Sequence, residues 1–417
     1  MSLRRGACPS LSAPMQTGDG LLARLNPVGG HLSGRQLAGL ARAAERLGNG
    51  ILEITARGSL QVRGLTEESA VALGVAVEAL GIKVRSGLPI DISPLAGLEV
   101  SGVADPRGLA REIWARCESL GLSQRLGPKV SVTVDGGGVL GLREMLADVK
   151  LEAVAGAEVS GEAAFSEESA VTWLLRVGGT SATARELGRF AQADAVDTAV
   201  RILEAVAERG VEARARDLSD AVLAKVAGRE PVPGVVPMEP MHSPVGRFAL
   251  VGGGWARGFA LAYGQIEGGA LSAFAEVLGE ERDVCLARGR GLIVPGVWEH
   301  EDSALFTAAE RLGLIAKPGD PRLSIAVCAG KPACASAHLA TRHLADRIVA
   351  SRPDLLGGDY QLHLSGCGKQ CARPSRASVT LMGVEGGFEI SADGTAIPSD
   401  LKALLSELAE EQFRQRP

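Results

Sequence analysis

Two stretches of this 417-residue chain share one pattern of apolar and polar positions. Residues 51–82 and 283–314 each begin with an apolar alternation that ends at Ala-Arg-Gly. Each then continues through a second short apolar run to a glycine, Gly64 or Gly296, and into an amphipathic stretch that ends in Leu-Gly. Alternation predicts strands and 3.6-residue spacing predicts helices, so both stretches predict strand, turn, strand and helix.

A second similarity follows each copy of this pattern. "GPKVSVTVDGG" at 127–137 resembles "DPRLSIAVCAG" at 320–330, and "WLLRVGG" at 173–179 resembles "QLHLSGC" at 361–367. All four read as strands that run into glycine-rich loops. Chance similarity between α+β segments is the alternative, but two similarities in the same order make it the weaker interpretation.

The chain is therefore predicted to contain two homologous halves, roughly 18–230 and 242–417. Between them, "PVPGVVPMEPMHSP" at 231–244 contains five prolines. Proline fixes the backbone and favours extended conformations, so this segment is predicted to be a connector.

A glycine motif in the first half resembles a dinucleotide fingerprint. Gly136-x-Gly138-x-x-Gly141 follows a predicted strand and precedes a predicted helix, and Glu162 is the acid at a suitable distance for a ribose. No clear βαβ unit surrounds the motif, and the repeat makes it the counterpart of the loop that carries Cys328. We therefore interpret it as a loop inherited from the duplication.

Charge and composition narrow the class of protein. The net charge is −5 and 46% of residues are hydrophobic, so no overall basic field favours nucleic acid as a partner. No apolar stretch has the length of a membrane span, and "MSLRRGACPSLSAPMQ" lacks the apolar core of a secretory signal. A cytoplasmic enzyme is expected, and in that reducing compartment disulfides explain cysteine pairs poorly.

Four of the seven cysteines form two close pairs, Cys328 with Cys334 and Cys367 with Cys371. Cys328 and Cys367 follow the predicted strands "LSIAV" and "YQLHL", and Cys334 opens a predicted helix beginning at "ASAHLATRHLADRIVAS". Two strand ends would thus bring four thiols together. Four thiolates suit either zinc or an iron-sulfur cluster.

The spacing favours the cluster. Paired zinc ligands are typically separated by two to four residues, whereas these pairs read C-x5-C and C-x3-C, and the wider loop is better matched to the corners of a cubane. The alternative of buried apolar cysteines fits Cys117 and Cys285, which lie in apolar runs, and stays open for Cys8. It fits the four paired cysteines poorly because their loops are rich in glycine and small residues.

At these residues the chain resembles the sulfite and nitrite reductase family. Cys328-x5-Cys334 and Cys367-x3-Cys371 are similar to the family signature, in which the fourth cysteine bridges a [4Fe-4S] cluster to sirohaem iron. "LLARLNPVGG" at 21–30 resembles the family's entry strand, and the segment from Thr55 to Gln61 resembles its T-x-R-Q-x-x-Q motif, which grips tetrapyrrole carboxylates. The resemblance covers almost the whole chain.

The resemblance implies an α+β fold of two fused repeats related by a pseudo-twofold axis. Each repeat has a ferredoxin-like part and a larger α/β part, and only the second carries the cluster. The expected segments are a first ferredoxin-like half at 18–82, its α/β domain at 83–230, the linker at 231–244, a second ferredoxin-like half at 245–315, and the cluster-binding α/β domain at 316–417.

The chain departs from the reductases where they bind their small anion. Leu88-Pro89 stands where an Arg-Asn pair is expected, and Lys129-Val-Ser131 keeps one lysine of Lys-x-Lys. An anion held by two cations instead of four loses much of its stabilisation. A sirohaem-dependent nitrite or sulfite reductase is therefore the alternative function, and a non-catalytic cluster carrier ranks lower because it leaves the arginine-bearing first half unused.

The main hypothesis is another branch of the family, which converts precorrin-3A to precorrin-3B in aerobic cobalamin biosynthesis. "RRGACPSLSAPMQTGDGLLARL", the "VDGGG" loop and the chain length all resemble this branch. It hydroxylates the ring with dioxygen and forms a γ-lactone. The resemblance implies a carboxylated tetrapyrrole in the place of sirohaem, a mononuclear non-haem iron beside the cluster, and an electron donor that is NAD(P)H-linked or of the ferredoxin type.

The resemblance also assigns roles. The four paired cysteines would ligate the cluster, and the expected ring-binding residues are Arg57, Gln61, Arg24, Arg63 and Lys129, with Lys369 and Arg373 nearer the cluster. Arginine suits this role because it pairs with carboxylates in a bidentate manner, although each cation could instead be solvated surface. Catalytic residues and iron ligands are not identifiable from sequence: His338 and His343, five apart on a predicted helix, do not share a face, and no other pair of the six histidines suggests a facial triad.

Overall fold

The computed structural model describes residues 9–156, 171–234, 242–374 and 377–414. Cys8 and Glu162, two residues considered above, lie outside the described residues.

The described part of the first half contains eleven strands and six helices. The strands are β1 (Met15–Thr17), β2 (Gly20–Leu25), β3 (His31–Ser33), β4 (Ile51–Ile54), β5 (Leu60–Leu65), β6 (Ile90–Ile92), β7 (Val132–Asp135), β8 (Ala147–Val154), β9 (Thr172–Gly179), β10 (Arg185–Phe190) and β11 (Val232–Pro233). The helices are α1 (Gly34–Leu47), α2 (Glu67–Ala79), α3 (Arg107–Ser119), α4 (Leu122–Arg125), α5 (Gln192–Glu208) and α6 (Asp220–Ala227).

The described part of the second half contains ten strands and four helices. The strands are β12 (Gly246–Ala249), β13 (Trp255–Leu261), β14 (Gln265–Glu267), β15 (Asp283–Ala287), β16 (Gly291–Val297), β17 (Leu314–Ile315), β18 (Ile325–Val327), β19 (Gln361–Ser365), β20 (Ser378–Val384) and β21 (Gly387–Asp393). The helices are α7 (Gly268–Leu278), α8 (Glu299–Arg311), α9 (Thr341–Ser351) and α10 (Ser399–Arg414).

The repeated pattern forms the predicted elements in both halves. Strands β4 and β5 form a hairpin followed by α2, and β15 and β16 form a hairpin followed by α8. Thr66 begins α2 because its side chain accepts from the backbone N–H of Ser69, whose hydroxyl accepts from the Thr66 N–H in return.

The two ferredoxin-like sheets exchange one strand each. One sheet has the order β1-β2-β5-β4-β14 and the other β12-β13-β16-β15-β3. Strand β14 therefore leaves the second half to pair with β4, and β3 leaves the first half to pair with β15. A single hydrophobic core that includes Leu37 and Leu52 of one half and Phe259 and Phe274 of the other lies under both sheets. The two ferredoxin-like segments fold together, and the segment boundaries proposed above stay predictions.

The two larger α/β parts share one strand order. In the first, β6, β7 and β8 are mutually parallel and β9 is antiparallel; in the second, β18, β19 and β20 are parallel and β21 is antiparallel. Helix α3 connects β6 to β7 as α9 connects β18 to β19. Each half thus contains a βαβ unit, and in the first half this unit ends at β7, before the glycine motif.

This order corrects the alignment of the second similarity. Strand β7 corresponds to β19, so 127–137 matches 361–367, and 320–330 matches the segment around β6. Short Val/Ile/Leu-rich strands resemble each other wherever they occur, and only the hydrogen-bonded order distinguishes them. The glycine loop after β7 is therefore the counterpart of the loop with Cys367, and the loop after β6 is the counterpart of the loop with Cys328.

The loop with the glycine motif is not arranged to bind a phosphate. This agrees with its interpretation as a loop inherited from the duplication. The chain passes from β7 to β8 without a helix. Glu99 accepts from the N–H of Val139 at 2.9 Å, and Asp135 accepts from those of Gly137 at 3.0 Å and Leu142 at 2.5 Å. Three backbone donors of this loop are therefore already bound to buried carboxylates and are not available to a phosphate.

No helix in the described ranges is both long enough and apolar enough to cross a bilayer.

Candidate functional site

A cavity of about 1620 Å³ lies between the two ferredoxin-like sheets and both α/β parts. Every site residue selected from the sequence lines it: Arg24, Arg57, Gln61, Arg63, Lys129, Cys328, Cys334, Cys367, Cys371, Lys369 and Arg373. These residues lie on or beside three different sheets and are up to 349 positions apart, so the fold brings them together.

Two adjacent parallel strands deliver the cysteine loops. Cys328 directly follows β18 and Cys367 lies two residues beyond β19, so both loops lie at the same edge of the sheet. The prediction that Cys334 opens a helix is wrong, because α9 begins at Thr341. The intervening residues instead form turns, in which the N–H of Cys334 donates to Gly330 O at 2.8 Å.

Hydrogen bonds join the two cysteine loops to each other. The N–H of His338 donates to Gly366 O at 2.6 Å, and the N–H of Gly366 donates to Cys328 Sγ at 3.1 Å. Lys369 Nζ donates to Ser336 Oγ at 3.0 Å. A backbone N–H directed at sulfur stabilises a thiolate, the form in which cysteine binds metal.

The four thiols lie close enough for their charges to act on one another. Burial raises the pKa of the Cys371 thiol, and the negative charges of Cys328, Cys367 and Cys334 raise it further. Like charges this close oppose deprotonation unless a metal compensates them. Within the described ranges, no three or more His, Cys, Asp or Glu side chains are arranged around a single ion.

A row of polar side chains crosses the first ferredoxin-like sheet and faces the cavity. Arg24, Gln61, Glu53 and Gln265 occupy paired positions on β2, β5, β4 and β14. With its amide oriented to satisfy both neighbours, Gln61 accepts from Arg24 Nη2 at 2.9 Å and donates to Glu53 Oε2 at 3.0 Å. Gln265 also donates to Glu53. Glu53 was not selected from the sequence, although it is the polar position of the buried run "ILEI".

Arg63 does not present a free guanidinium to the cavity. It is only 4% exposed, and it donates to Asp19 Oδ1 at 2.8 Å and to Asp19 Oδ2 at 3.0 Å. It also donates to Glu53 Oε2 at 3.3 Å and to Ala333 O at 3.3 Å. Two carboxylates already pair with Arg63, so it has less free charge to offer a ligand than an unpaired arginine, and its role in binding a ring carboxylate stays a prediction.

Two other cations that are predicted to bind the ring are available for a ligand. Arg57 and Lys129 are exposed at the cavity, and neither makes a hydrogen bond or ion pair with the residues that the structure describes. Arg57 lies at the tip of the β4–β5 hairpin and Lys129 in the turn before β7. Arg24 is half-buried, and among the described residues its hydrogen bonds go to the neutral Gln61 amide.

Several cavity arginines were missed. Arg288 and Arg290 lie at the tip of the β15–β16 hairpin, in the repeated Ala-Arg-Gly pattern that could have indicated them. Burial lowers the pKa of Arg288, and the charge of Arg57 lowers it too, although Glu144 opposes this. Burial also lowers the pKa of Arg342 to about 10 despite its ion pair with Glu53 at 3.3 Å.

Other missed arginines are already paired. Arg85 binds Asp91 at 2.5 Å, and Arg214 binds Asp148 at 2.8 Å. Both pairs line the cavity. Nothing in the local sequence pattern distinguishes these arginines from surface residues.

Backbone strain is concentrated at the cavity. Among the described residues, three non-glycine residues have φ in the left-handed region: Tyr263 (55°), Arg290 (66°) and Gln370 (48°). The first two line the cavity, and Gln370 lies inside the Cys367–Cys371 loop. Such conformations persist where the surrounding structure enforces them, often at functional sites.

The pseudo-symmetric counterpart of the polar row lacks its arginine, glutamate and glutamine side chains. On the second ferredoxin-like sheet the corresponding positions are Gly258, Ile293, Cys285 and His31. Leu95 and Leu140, from the two loops that correspond to the cysteine loops, pack against Ile293 and Cys285 in a buried cluster. Among the described residues, the large cavity therefore lies on one side of the pseudo-twofold axis. At the equivalent place on the other side, Leu95 and Leu140 pack in a buried cluster.

Comparisons with known proteins agree with this geometry. Residues 13–76 match the family model of the nitrite/sulfite reductase ferredoxin-like half domain. The solved structure of the Mycobacterium tuberculosis NirA protein superimposes with a TM-score of 0.70 over 89% of this chain and 73% of that one, at 20% identity. This likeness shows the fold.

A curated relative identifies the branch of the family. The chain is 38% identical over 399 residues to the precorrin-3B synthase of a Sinorhizobium species, covering 95% of this chain and 84% of that protein. A match of this extent spans both halves of the chain. The chain belongs to the precorrin-3B synthase family, an enzyme family with the α+β fold of the sulfite and nitrite reductases.

Proposed function

We propose that this protein is an iron-sulfur oxidoreductase of the monooxygenase type that converts precorrin-3A to precorrin-3B in aerobic cobalamin biosynthesis. The reaction hydroxylates the ring with dioxygen and forms a γ-lactone. The observation that carries the proposal is a cavity of about 1620 Å³ with four thiols at one end and unpaired cations along its wall. The relative that is 38% identical is a precorrin-3B synthase, which supports the same assignment.

The charges of the cavity suit a flat polycarboxylate. Arg57, Lys129 and Arg24 have no carboxylate partner within the described residues, and Arg288 has a buried Nε without one. Guanidinium groups bind carboxylates with two parallel hydrogen bonds, which fixes the orientation of the ring as well as its position. The paired Arg85 and Arg214 contribute to the shape of the wall more than to its charge.

Cys328, Cys334, Cys367 and Cys371 would hold the [4Fe-4S] cluster. When bound, the cluster supplies electrons to the cavity from an external donor, which we expect to be NAD(P)H-linked or of the ferredoxin type. The chain's own contribution is to bind and orient the ring against this end of the cavity. The apolar and neutral residues there, such as Ala329, Ala337 and Val327, limit water around it.

The mononuclear non-haem iron expected from the resemblance has no ligands that we can assign. No group of three or more His, Cys, Asp or Glu side chains in the described ranges is arranged for one ion. No catalytic step is therefore derived through that iron.

A sirohaem-dependent reductase is the second candidate, and the cysteine spacing and the fold favour it. Two positions argue against it. Leu88, where a basic residue is expected, is 2% exposed and packs in the core of the first α/β part. Ser131 lines the cavity without a charge. The small anion of a reductase would lack the cations that stabilise its reduction.

The test is aerobic turnover of precorrin-3A by cluster-reconstituted protein with a chemical reductant, followed by mass spectrometry under isotopically labelled dioxygen. A labelled, hydroxylated lactone product supports the proposal. Unchanged precorrin-3A overturns it, and sulfite or nitrite turnover by the same preparation would then support the reductase.

A further inference from the structure

We infer that Arg63 of the first half is a positioning residue for Cys334 of the second half. The inference rests on the proposed function only in that Cys334 serves there as a cluster ligand. Arg63 and Cys334 are 271 positions apart in the sequence. A hydrogen bond from Arg63 to Ala333, the residue before Cys334, joins the first ferredoxin-like sheet to the cysteine loop.

The guanidinium of Arg63 connects three groups. Its Nε and Nη2 donate to the two carboxylate oxygens of Asp19 at 3.0 and 2.8 Å, and Nη1 donates to Glu53 at 3.3 Å. Nη2 also donates to the backbone carbonyl of Ala333, the residue before Cys334, at 3.3 Å. A bidentate pair fixes the plane of the guanidinium, so the donor that reaches Ala333 has a fixed direction.

Asp19 is itself held in place. Thr17 Oγ1 donates to its Oδ1 at 2.7 Å, and Asn49 Nδ2 donates to its Oδ2 at 2.8 Å. Although burial opposes it, Arg63 holds the pKa of Asp19 below its ordinary range, so the pair stays ionised near neutral pH.

Gly18, the residue before Asp19, contacts the backbone on the C-terminal side of Cys334. A Cβ atom on Gly18 would lie 2.2 Å from Ala335 N and 2.7 Å from Cys334 Cα, which is closer than atoms can approach. The turn between β1 and β2 therefore lies directly against the Cys334 backbone. Arg63 holds the carbonyl before Cys334 and Gly18 limits the backbone after it.

This arrangement predicts that the Cys334 thiol is held in place by the first half even before a cluster binds. The relevant variants are Arg63→Lys, which keeps the charge but loses the planar fork, and Gly18→Ala, which pushes on the loop without changing charge. The matched control is Arg176→Lys. Arg176 is also 4% exposed and binds two carboxylates, Glu152 at 3.0 Å and Glu186 at 3.2 Å, but it does not line the cavity.

The experiment measures alkylation of each cysteine in metal-free, full-length protein with iodoacetamide, by peptide mass spectrometry. Loss of a charge-assisted hydrogen bond should raise the rate at Cys334 about tenfold in Arg63→Lys, while the rate at Cys371 stays unchanged. Gly18→Ala should have the same selective effect, and Arg176→Lys should have none. After reconstitution, the first two variants should also lose their visible cluster absorbance in air several times faster than wild type, at comparable thermal stability.

Equal alkylation of Cys334 in wild type, Arg63→Lys and Gly18→Ala would overturn the inference. Uniform acceleration at Cys334, Cys371 and Cys117 would also overturn it, because it would show general loosening of the fold. The alkylation rates are measured without cluster or tetrapyrrole. A failure of this inference can therefore be distinguished from a failure of precorrin-3A turnover.

Discussion

The backbone N–H of Gly289 donates to the carbonyl of Ala56 at 3.0 Å, which joins the hairpin tips of the two halves at the wall of the cavity. The contact is close because Gly58, at φ +82°, would place a Cβ 3.1 Å from the Ala287 carbonyl carbon. Arg57 and Arg288 are the residues beside this contact, one on each tip. Two like charges this near each other oppose one another, and a polyanion between them relieves the repulsion.

Arg57→Ala and Arg288→Ala should each weaken binding of precorrin-3A. Loss of one charge-assisted pair in a partly closed cavity costs about 2 kcal/mol, or about a thirtyfold rise in Kd. Anaerobic equilibrium titration prevents turnover and measures this directly. Arg46→Ala, on the exposed face of α1, is the control and should leave Kd unchanged. Wild-type affinity in Arg57→Ala would remove that residue from the site.

Cys334→Ser should prevent assembly of the cluster. Anaerobically purified wild type is expected to carry about four irons in a cubane, and a serine hydroxyl is a poor replacement for a thiolate ligand. Iron and sulfide analysis together with visible absorbance gives the result. Cys117→Ala, a fully buried cysteine of α3 far from the cavity, should keep its full iron content. Full iron and sulfide in Cys334→Ser would contradict the cluster assignment.

The protein purified from cells that make sirohaem should contain none in stoichiometric amount. Its open cations suit a ring that is the substrate and must leave after turnover, and very tight ground-state binding would slow that release. The visible spectrum after gel filtration is the measurement. A retained sirohaem band together with sulfite or nitrite reduction would place the protein with the reductases.

His363 should make the protein less stable in mild acid. Burial, followed by the charges of Arg373 and Arg290, lowers its pKa from 6.5 to about 4, and its buried Nε2 has no partner among the described residues. Since the unfolded chain binds this proton more readily, the stability is complete above pH 6.5 and falls as the pH drops toward 4. Between pH 7 and pH 5 the free energy of unfolding should fall by about 2 kcal/mol from this residue alone.

Urea unfolding of cluster-free protein at both pH values tests this. His363→Gln, which cannot titrate, should lose that part of the pH dependence, while His300→Gln, at an exposed position, should keep it. An identical pH dependence in wild type and His363→Gln would show that the histidine is not responsible.

Local patterns predicted the hairpins and the cysteine loops because strand alternation and ligand spacing are properties of a few adjacent residues. Pairing between strands that are distant in the sequence leaves no local pattern of this kind. The two Ala-Arg-Gly triplets look equivalent in the sequence. In the structure, however, the cross-strand pair Glu53–Gln61 corresponds to the pair Cys285–Ile293, and this alignment of the two hairpins differs by one residue from the alignment of the triplets. Arg63 lies on the strand that carries the end of a binding motif, but its partner Asp19 lies in another strand turn 44 residues away, and only the folded chain shows that the two are paired.

The exchange of β3 and β14 between the sheets has a consequence for chain breakage. Two separately expressed polypeptides, one ending at residue 234 and one starting at residue 242, would each lack a strand of their own ferredoxin-like sheet and carry the strand that the other needs. Each would expose an unpaired sheet edge alone and cover it only by capturing its complement. The covalent connection sets the effective concentration of the two pieces, whereas the interlocked strands hold them together.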